Sequence, residues 1–127
     1  MISHPSLREK IMAANILIVE DEPAIQELLA LNLTQAGHHP IRALTVEQAQ
    51  LLMHETLPDL IILDWMLPGM SGLAFVRELS QRCTPVPATL MVTAKAESES
   101  IIEALESGAD DYLLKPFDPG VLMARVR

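Results

Sequence analysis

The chain has 127 residues, enough for one domain with a single core and too few for two of ordinary size. Half are hydrophobic but only 3% are aromatic, so the core must be aliphatic. A formal net charge of −8 argues against a surface that grips DNA or anionic membranes.

A single cysteine, Cys83, excludes an intrachain disulfide; at helical spacing it reads as a small core-facing hydrophobe, and it fits a reducing cytoplasm. No apolar run approaches the ~18 residues of a membrane span, and MISHPSLREK lacks the apolar middle of a signal peptide. The sequence therefore reads as a cytoplasmic protein. Residues 1–14 read as an N-terminal extension, polar and irregular through residue 11, with a domain over 15–127.

The regular pattern starts at NILIV, residues 15–19, an apolar strand ended by EDEP. Pro23 suits a first helical turn, and Ile25, Leu28, Leu29, Leu33 and Ala36 recur on one helical face until Gly37 stops it. A short strand at 39–43 leads to Thr45 and Gln48, a capping box for a helix running to about Glu55. DLIIL at 59–63 is the most apolar strand; after the loop through Gly72 comes a helix with Phe75, Val76 and Leu79. ATLMV from Ala88 runs into Thr93, and a helix over 97–107 places Ile101, Ile102 and Leu105 on one side before Gly108. DYLL at 111–114 is the fifth strand, and Asp118 with Pro119 opens the fifth helix.

Strands alternating with helices imply right-handed crossovers and a parallel sheet covered on both faces. Coverage on both faces also explains continuous apolar runs such as LIIL. The fold class is doubly wound α/β, a five-stranded parallel sheet of order 2-1-3-4-5. In such sheets ligands bind beyond the carboxyl ends of the strands, where the strand order reverses. Glu20, Asp21 and Glu22 follow strand one, Asp64 strand three, Thr93 ends strand four, and Lys115 follows strand five.

Taken singly, Asp21 or Asp64 serves equally as a helix cap, Glu20 and Glu22 as solvated surface, Thr93 as a strand residue and Lys115 as a surface lysine. Together they crowd Glu20, Asp21 and Asp64 into one crevice. At ~4 Å and an effective dielectric near 20, each like-charged pair costs about 4 kcal/mol. Compensation must come from cations. Lys115 supplies one, and a divalent ion of the Mg2+ type, held by few protein oxygens and several waters, supplies the rest.

A carboxylate beside Mg2+ and a lysine can attack a phosphoryl group and form an aspartyl phosphate. Asp64, central and on the most buried strand, is the candidate nucleophile. Glu20 and Asp21 would hold the metal, Lys115 would pair with the phosphoryl group, and Thr93 would donate a hydrogen bond to it.

The ordered motifs ILIVEDEP, LIILDWMLPGMSG, VTA and GADDYLLKPF resemble those of response-regulator receiver domains of bacterial two-component signalling, over residues 15–127, and are most similar to the OmpR/PhoB subfamily. The flavodoxin-like receiver fold is what the resemblance implies. So are a sensor histidine kinase as phosphoryl donor to Asp64, the Met66 carbonyl as a further Mg2+ ligand, and a cis Lys115–Pro116 peptide. It makes Thr93 and Tyr112 a switch pair: after phosphorylation the hydroxyl moves toward the new oxygens and the ring turns inward.

Homodimerisation through the fourth helix, fifth strand and fifth helix is likewise implied, on a face with Ile102, Leu105 and Ala124, flanked by Asp110, Asp111, Arg125, Lys95 and Glu106. Where subfamily members commonly carry a basic and an acidic partner, this chain has Ile101 and Val121, so one intersubunit ion pair is missing. A transcriptional output domain, absent from this chain, would bind DNA.

Three rival readings differ in particular residues. Phosphatases of the aspartyl-nucleophile type resemble a pattern with a second Asp two residues after the first, where this chain has Met66. Flavin or dinucleotide binding calls for a Gly-rich phosphate loop, and none follows a strand. A phosphorylation-independent interaction module would not need the full acid, hydroxyl and ammonium set. The expected function is a Mg2+-dependent signalling switch, not an enzyme with turnover.

Overall fold

The computed structural model describes residues 13–126. The expected extension over residues 1–14 lies almost wholly outside them, as does Arg127. Five strands, β1 (Asn15–Val19), β2 (His39–Ala43), β3 (Leu60–Leu63), β4 (Ala88–Thr93) and β5 (Asp111–Leu114), form one parallel sheet of order β2-β1-β3-β4-β5. Between and after them run α1 (Pro23–Gln35), α2 (Val46–Met53), α3 (Gly72–Arg82), α4 (Ser98–Ser107) and α5 (Pro119–Val126).

Strand pleating divides the apolar runs between two cores. Leu17, Val19, Ile61, Leu63 and Met91 face one side and are covered by Val46 and Ala49 of α2, Phe75, Val76 and Leu79 of α3, and Ala104 of α4. Ile16, Ile18, Ile62, Leu90 and Val92 face the other, under Leu29, Ala30 and Leu33 of α1 and Leu122 of α5. Beyond their first residues, consecutive positions of β1, β3 and β4 are thus all buried, as their unbroken apolar runs require.

The helix ends have local causes. Thr45 Oγ1 accepts from the Gln48 amide at 3.0 Å, while Gln48 Oε1 reaches back to the Leu44 amide, one residue before the position a strict capping box uses. That helix ends at Met53, short of Glu55. Ser71, which the sequence reading passed over, caps α3 by accepting from the Ala74 amide. Gly37 and Gly108 follow α1 and α4 with φ of 89° and 123°. Cys83 is half-buried and packs against the first core.

Two helix faces differ from expectation. On α1 the buried residues are Gln26, Leu29, Ala30 and Leu33, whereas Leu28 is 37% exposed and Ala36 is exposed. The helix is rotated toward Gln26 because that side chain meets the carbonyls at the ends of β1 and β2. On α4 only Ala104 is buried; Ile101 is half-buried, and Ile102 and Leu105 face outward.

Gly72 sets the path of the β3–α3 loop. A Cβ on it would overlap the Asp64 carbonyl oxygen and press on the Asp64 carbonyl carbon and Trp65 Cα. All three are main-chain atoms that cannot move independently. Gly72→Ala would gain up to ~1 kcal/mol of helix propensity, against overpacking that costs about 1–3 kcal/mol when only side chains must adapt. Net destabilisation of about 1–2 kcal/mol is expected in urea unfolding, and an unchanged midpoint would show that the loop relaxes without cost.

Candidate functional site: an acid crevice with one lysine

The sheet register levels the strand ends. Val19 pairs with Leu63, so Glu20 and Asp64 emerge side by side; Thr93 pairs with Leu114, so Lys115 emerges beside it. Each exit is tied down by one more main-chain bond: Glu20 N to Ala43 O, Asp64 N to Val19 O, and Lys115 N to Thr93 O. The crevice is therefore built by backbone geometry before any side chain engages.

Lys115 Nζ lies 2.5 Å from Glu20 Oε1, 2.8 Å from Asp64 Oδ2 and 3.4 Å from Glu22 Oε1. Glu20 and Asp64 are buried, Glu22 is mostly exposed. The remaining oxygens are engaged as well. Asp64 Oδ1 accepts from the Met66 amide at 3.0 Å, and Glu20 Oε2 from the Glu22 amide at 3.2 Å. Glu20, Glu22 and Asp64 each offer an oxygen within 4.8 Å of the others.

Glu22, which the sequence reading left outside the metal set, joins this group. Asp21 is exposed and outside it. Residues leaving a strand alternate sides, so in the sequence EDE the first and third acids turn the same way. That alternation was the available signal.

Burial pushes the Glu20 carboxyl above its ordinary value, outweighing the opposing hydrogen bond from Lys115. Burial alone would lower the Lys115 ammonium, but its hydrogen bonds to Asp64 and Glu20 outweigh that and hold it well above the ordinary lysine range. Lys115 is cationic at any physiological pH.

The hydroxyl at the end of β4 is different. Thr93 is fully buried and its Oγ1 has no hydrogen-bond partner among the described residues. Tyr112, on the neighbouring strand, packs against the first core and donates its hydroxyl to the Lys95 carbonyl at 2.7 Å. Burial, with the charges of Glu97 and Asp64, raises its phenol. Lys95 in turn holds its ammonium 4.9 Å from the centroid of Trp65, the residue after Asp64. The Lys115–Pro116 peptide is cis.

On the proposed outer face, Ile102, Leu105 and Val121 are 53%, 43% and 42% exposed, and Ala124 is exposed. Three of its charges are already engaged: Arg125 Nη1 bonds both oxygens of Asp111, at 2.7 and 2.9 Å, and Asp110 Oδ2 accepts from the Thr89 amide.

Two buried carboxylates bridged by one lysine thus sit at the switch point of a doubly wound sheet, where ligands of such folds bind. Residues 16–127 match the family model described as the response regulator receiver domain. The chain is 47% identical over 120 residues to the phosphate regulon transcriptional regulatory protein PhoB of Klebsiella pneumoniae, covering 91% of this chain and 51% of that protein. It is 45% identical over 120 residues to PhoB of Escherichia coli, with the same coverage. Among solved structures, the BeF3-activated N-terminal receiver domain of Klebsiella pneumoniae RstA superposes with a TM-score of 0.83 at 33% identity, covering 89% of this chain and 95% of that one. The chain belongs to the response regulator receiver domain family, within the OmpR/PhoB subfamily. It spans about half the length of the curated relatives it matches.

The raised Glu20 pKa has a definite consequence for stability. The folded state binds the Glu20 proton more tightly than the unfolded chain, so this group adds stability as pH falls through its folded pKa toward 4.5, and withdraws it as pH rises back. Glu20→Gln should therefore stabilise the metal-free protein at neutral pH, with the advantage shrinking on acidification. Urea unfolding at several pH values without divalent ions checks it; a variant less stable at neutral pH would show that the bond to Lys115 outweighs the burial.

Proposed function

We propose that Asp64 accepts a phosphoryl group from a phosphohistidine on a sensor kinase and that the domain relays the change to its surface. The observation that carries this reading is a buried carboxylate bonded to a buried lysine at the switch point, with a fully buried hydroxyl on the adjacent strand left unpartnered. Such orphaned groups are rare, and an arriving acceptor would satisfy it.

In the reaction an Asp64 carboxylate oxygen attacks phosphorus while the phosphorus–nitrogen bond breaks and its electron pair returns to the imidazole. Lys115 is placed to pair with a phosphoryl oxygen, and Thr93 to donate to another. The donors around the crevice are all oxygens, which fits a hard divalent cation such as Mg2+. Glu20, Asp64, the Met66 carbonyl and Asp21, whose exposed carboxylate makes no hydrogen bond among the described residues, would hold it, with Glu22 as a further oxygen donor. When bound, the ion supplies charge neutralisation at the transferring group.

Met66 in place of a second acid leaves no obvious general base for hydrolysis, so this is a slow-clearing switch and not a phosphatase. Thr93 and Tyr112 form the switch pair, and the fourth helix, fifth strand and fifth helix form the dimer face. With Arg125, Asp111 and Asp110 bonded within the chain and Ile101 and Val121 lacking charge, that face favours an apolar dimer contact. The output is transcription through an attached DNA-binding domain, in the cytoplasm.

Acetyl phosphate with Mg2+ should add one phosphoryl group to the wild-type chain and none to Asp64→Asn, as read by intact mass. Equal labelling of the two proteins, or none of either, would remove the phosphoacceptor reading.

A further inference from the structure

The residue that holds the acidic turn in place is not one of the acids. Gln26 lies on α1, is 1% exposed, and is aimed at the ends of β1 and β2. Its Nε2 donates to Ala43 O at 2.8 Å and Glu20 O at 3.1 Å, with Ile18 O at 3.4 Å. Two amide protons facing three carbonyls fix which way the carboxamide points: reversed, Oε1 would meet those carbonyls and repel them. Oε1 is buried without a partner. Leaving a buried acceptor unsatisfied is unfavourable, so what keeps a carboxamide here is the set of bonds its Nε2 makes.

The same residue grips the turn twice. Its main-chain amide bonds Glu22 O at 3.0 Å, and its side chain bonds Glu20 O. Glu20 N is held by Ala43 O, the carbonyl that Gln26 also caps. The segment Glu20–Glu22 is thereby clamped at both ends, and with it the direction in which the Glu20 carboxylate enters the crevice and the Glu22 amide meets Glu20 Oε2.

We infer that Gln26 is a positioning residue for the cation site: it fixes the Glu20–Glu22 main chain so that the acidic side chains are preset for a divalent ion. The inference rests on the metal reading given above. Groups that hold a metal's ligands in place are commonly worth about 10–100-fold in metal affinity.

The test compares Gln26→Met and Gln26→Leu, which keep the volume and lose the hydrogen bonds, with Leu33→Ala on the same helix face, which loses packing and keeps them. Mg2+ affinity is read from Trp65 fluorescence, and exchange of the Glu22 amide is measured without metal, relative to global stability. Both Gln26 variants should bind Mg2+ about tenfold more weakly and exchange Glu22 faster than their stability explains, while Leu33→Ala should change stability alone. Wild-type affinity and exchange in the Gln26 variants, or equal losses in Leu33→Ala, would overturn the inference. A wild-type chain with no Mg2+ response in fluorescence or calorimetry would remove the metal reading, and the metal-free exchange of Glu22 would then decide by itself whether Gln26 positions the turn.

Discussion

One ammonium shared between two buried carboxylates is the constraint on which the site depends. Glu20 and Asp64 arrive from adjacent parallel strands at the same level, so their approach is imposed by the register and cannot be avoided by side-chain choice alone. In a crevice where both are nearly inaccessible, water cannot screen their repulsion, and Lys115 must. A lysine suits the task because its charge is compact and its stem flexible, so it can stand between two acids, where a planar guanidinium would prefer one. The lysine comes from the far side of the sheet, beyond β4, on the strand formed last in the sequence. The centre therefore exists only when the whole sheet is assembled, and any shift of β5 against β4 changes the compensation of charge at Asp64.

Shared charge also explains why the crevice is poised. Lys115 balances one of the two buried negative charges, and the mostly exposed Glu22 adds a third that stays largely solvated. The excess is negative, which draws cations and repels bare phosphates. On the proposed reading a phosphoryl group would enter only with more positive charge, and the all-oxygen donor set fits hard ions better than soft ones. On that reading, metal binding would be a condition of phosphoryl acceptance and not an accessory to it.

Much of this was legible in the sequence because the strands are apolar on both faces. NILIV, LIIL and ATLMV leave little doubt about where the chain is buried, and a parallel sheet follows from the helices between them. The strand order and the convergence of Asp64, Thr93 and Lys115 then follow from the fold class. What was not legible depends on direction at element ends. Hydrophobicity placed Leu28 inward and ignored Gln26, because a periodicity argument cannot see the unpaired carbonyls that recruit a carboxamide. It also left Glu22 outside the metal set, since the side on which a residue falls after a strand ends depends on one more half-turn of pleat. Ser71 was passed over as a cap because Gly72, the close-approach residue beside it, marked the segment as loop.

The route by which an event at Asp64 reaches the outer face can be traced through contacts. Trp65 follows Asp64, and Lys95, two residues after Thr93, lays its ammonium over the Trp65 ring while its carbonyl accepts the Tyr112 hydroxyl. The loop after β4 is thus held at two points, the aromatic face beside Asp64 and the phenol on β5, with the unpartnered Thr93 hydroxyl at its root. In the proposed switch, movement of Thr93 toward new oxygens at Asp64 would draw Ala94 and Lys95 along with it, with no glycine between them to absorb the change. The Tyr112 bond then either follows or breaks, and α4 begins only three residues after Lys95. The exposed Ile102 and Leu105 are carried on that helix, so in the proposed switch the outer face would be coupled to Asp64 through the Trp65–Lys95 and Lys95–Tyr112 contacts. A hydroxyl without a partner in the resting arrangement gives that chain its direction, because satisfying the hydroxyl is the one change in the crevice that gains a hydrogen bond without giving one up.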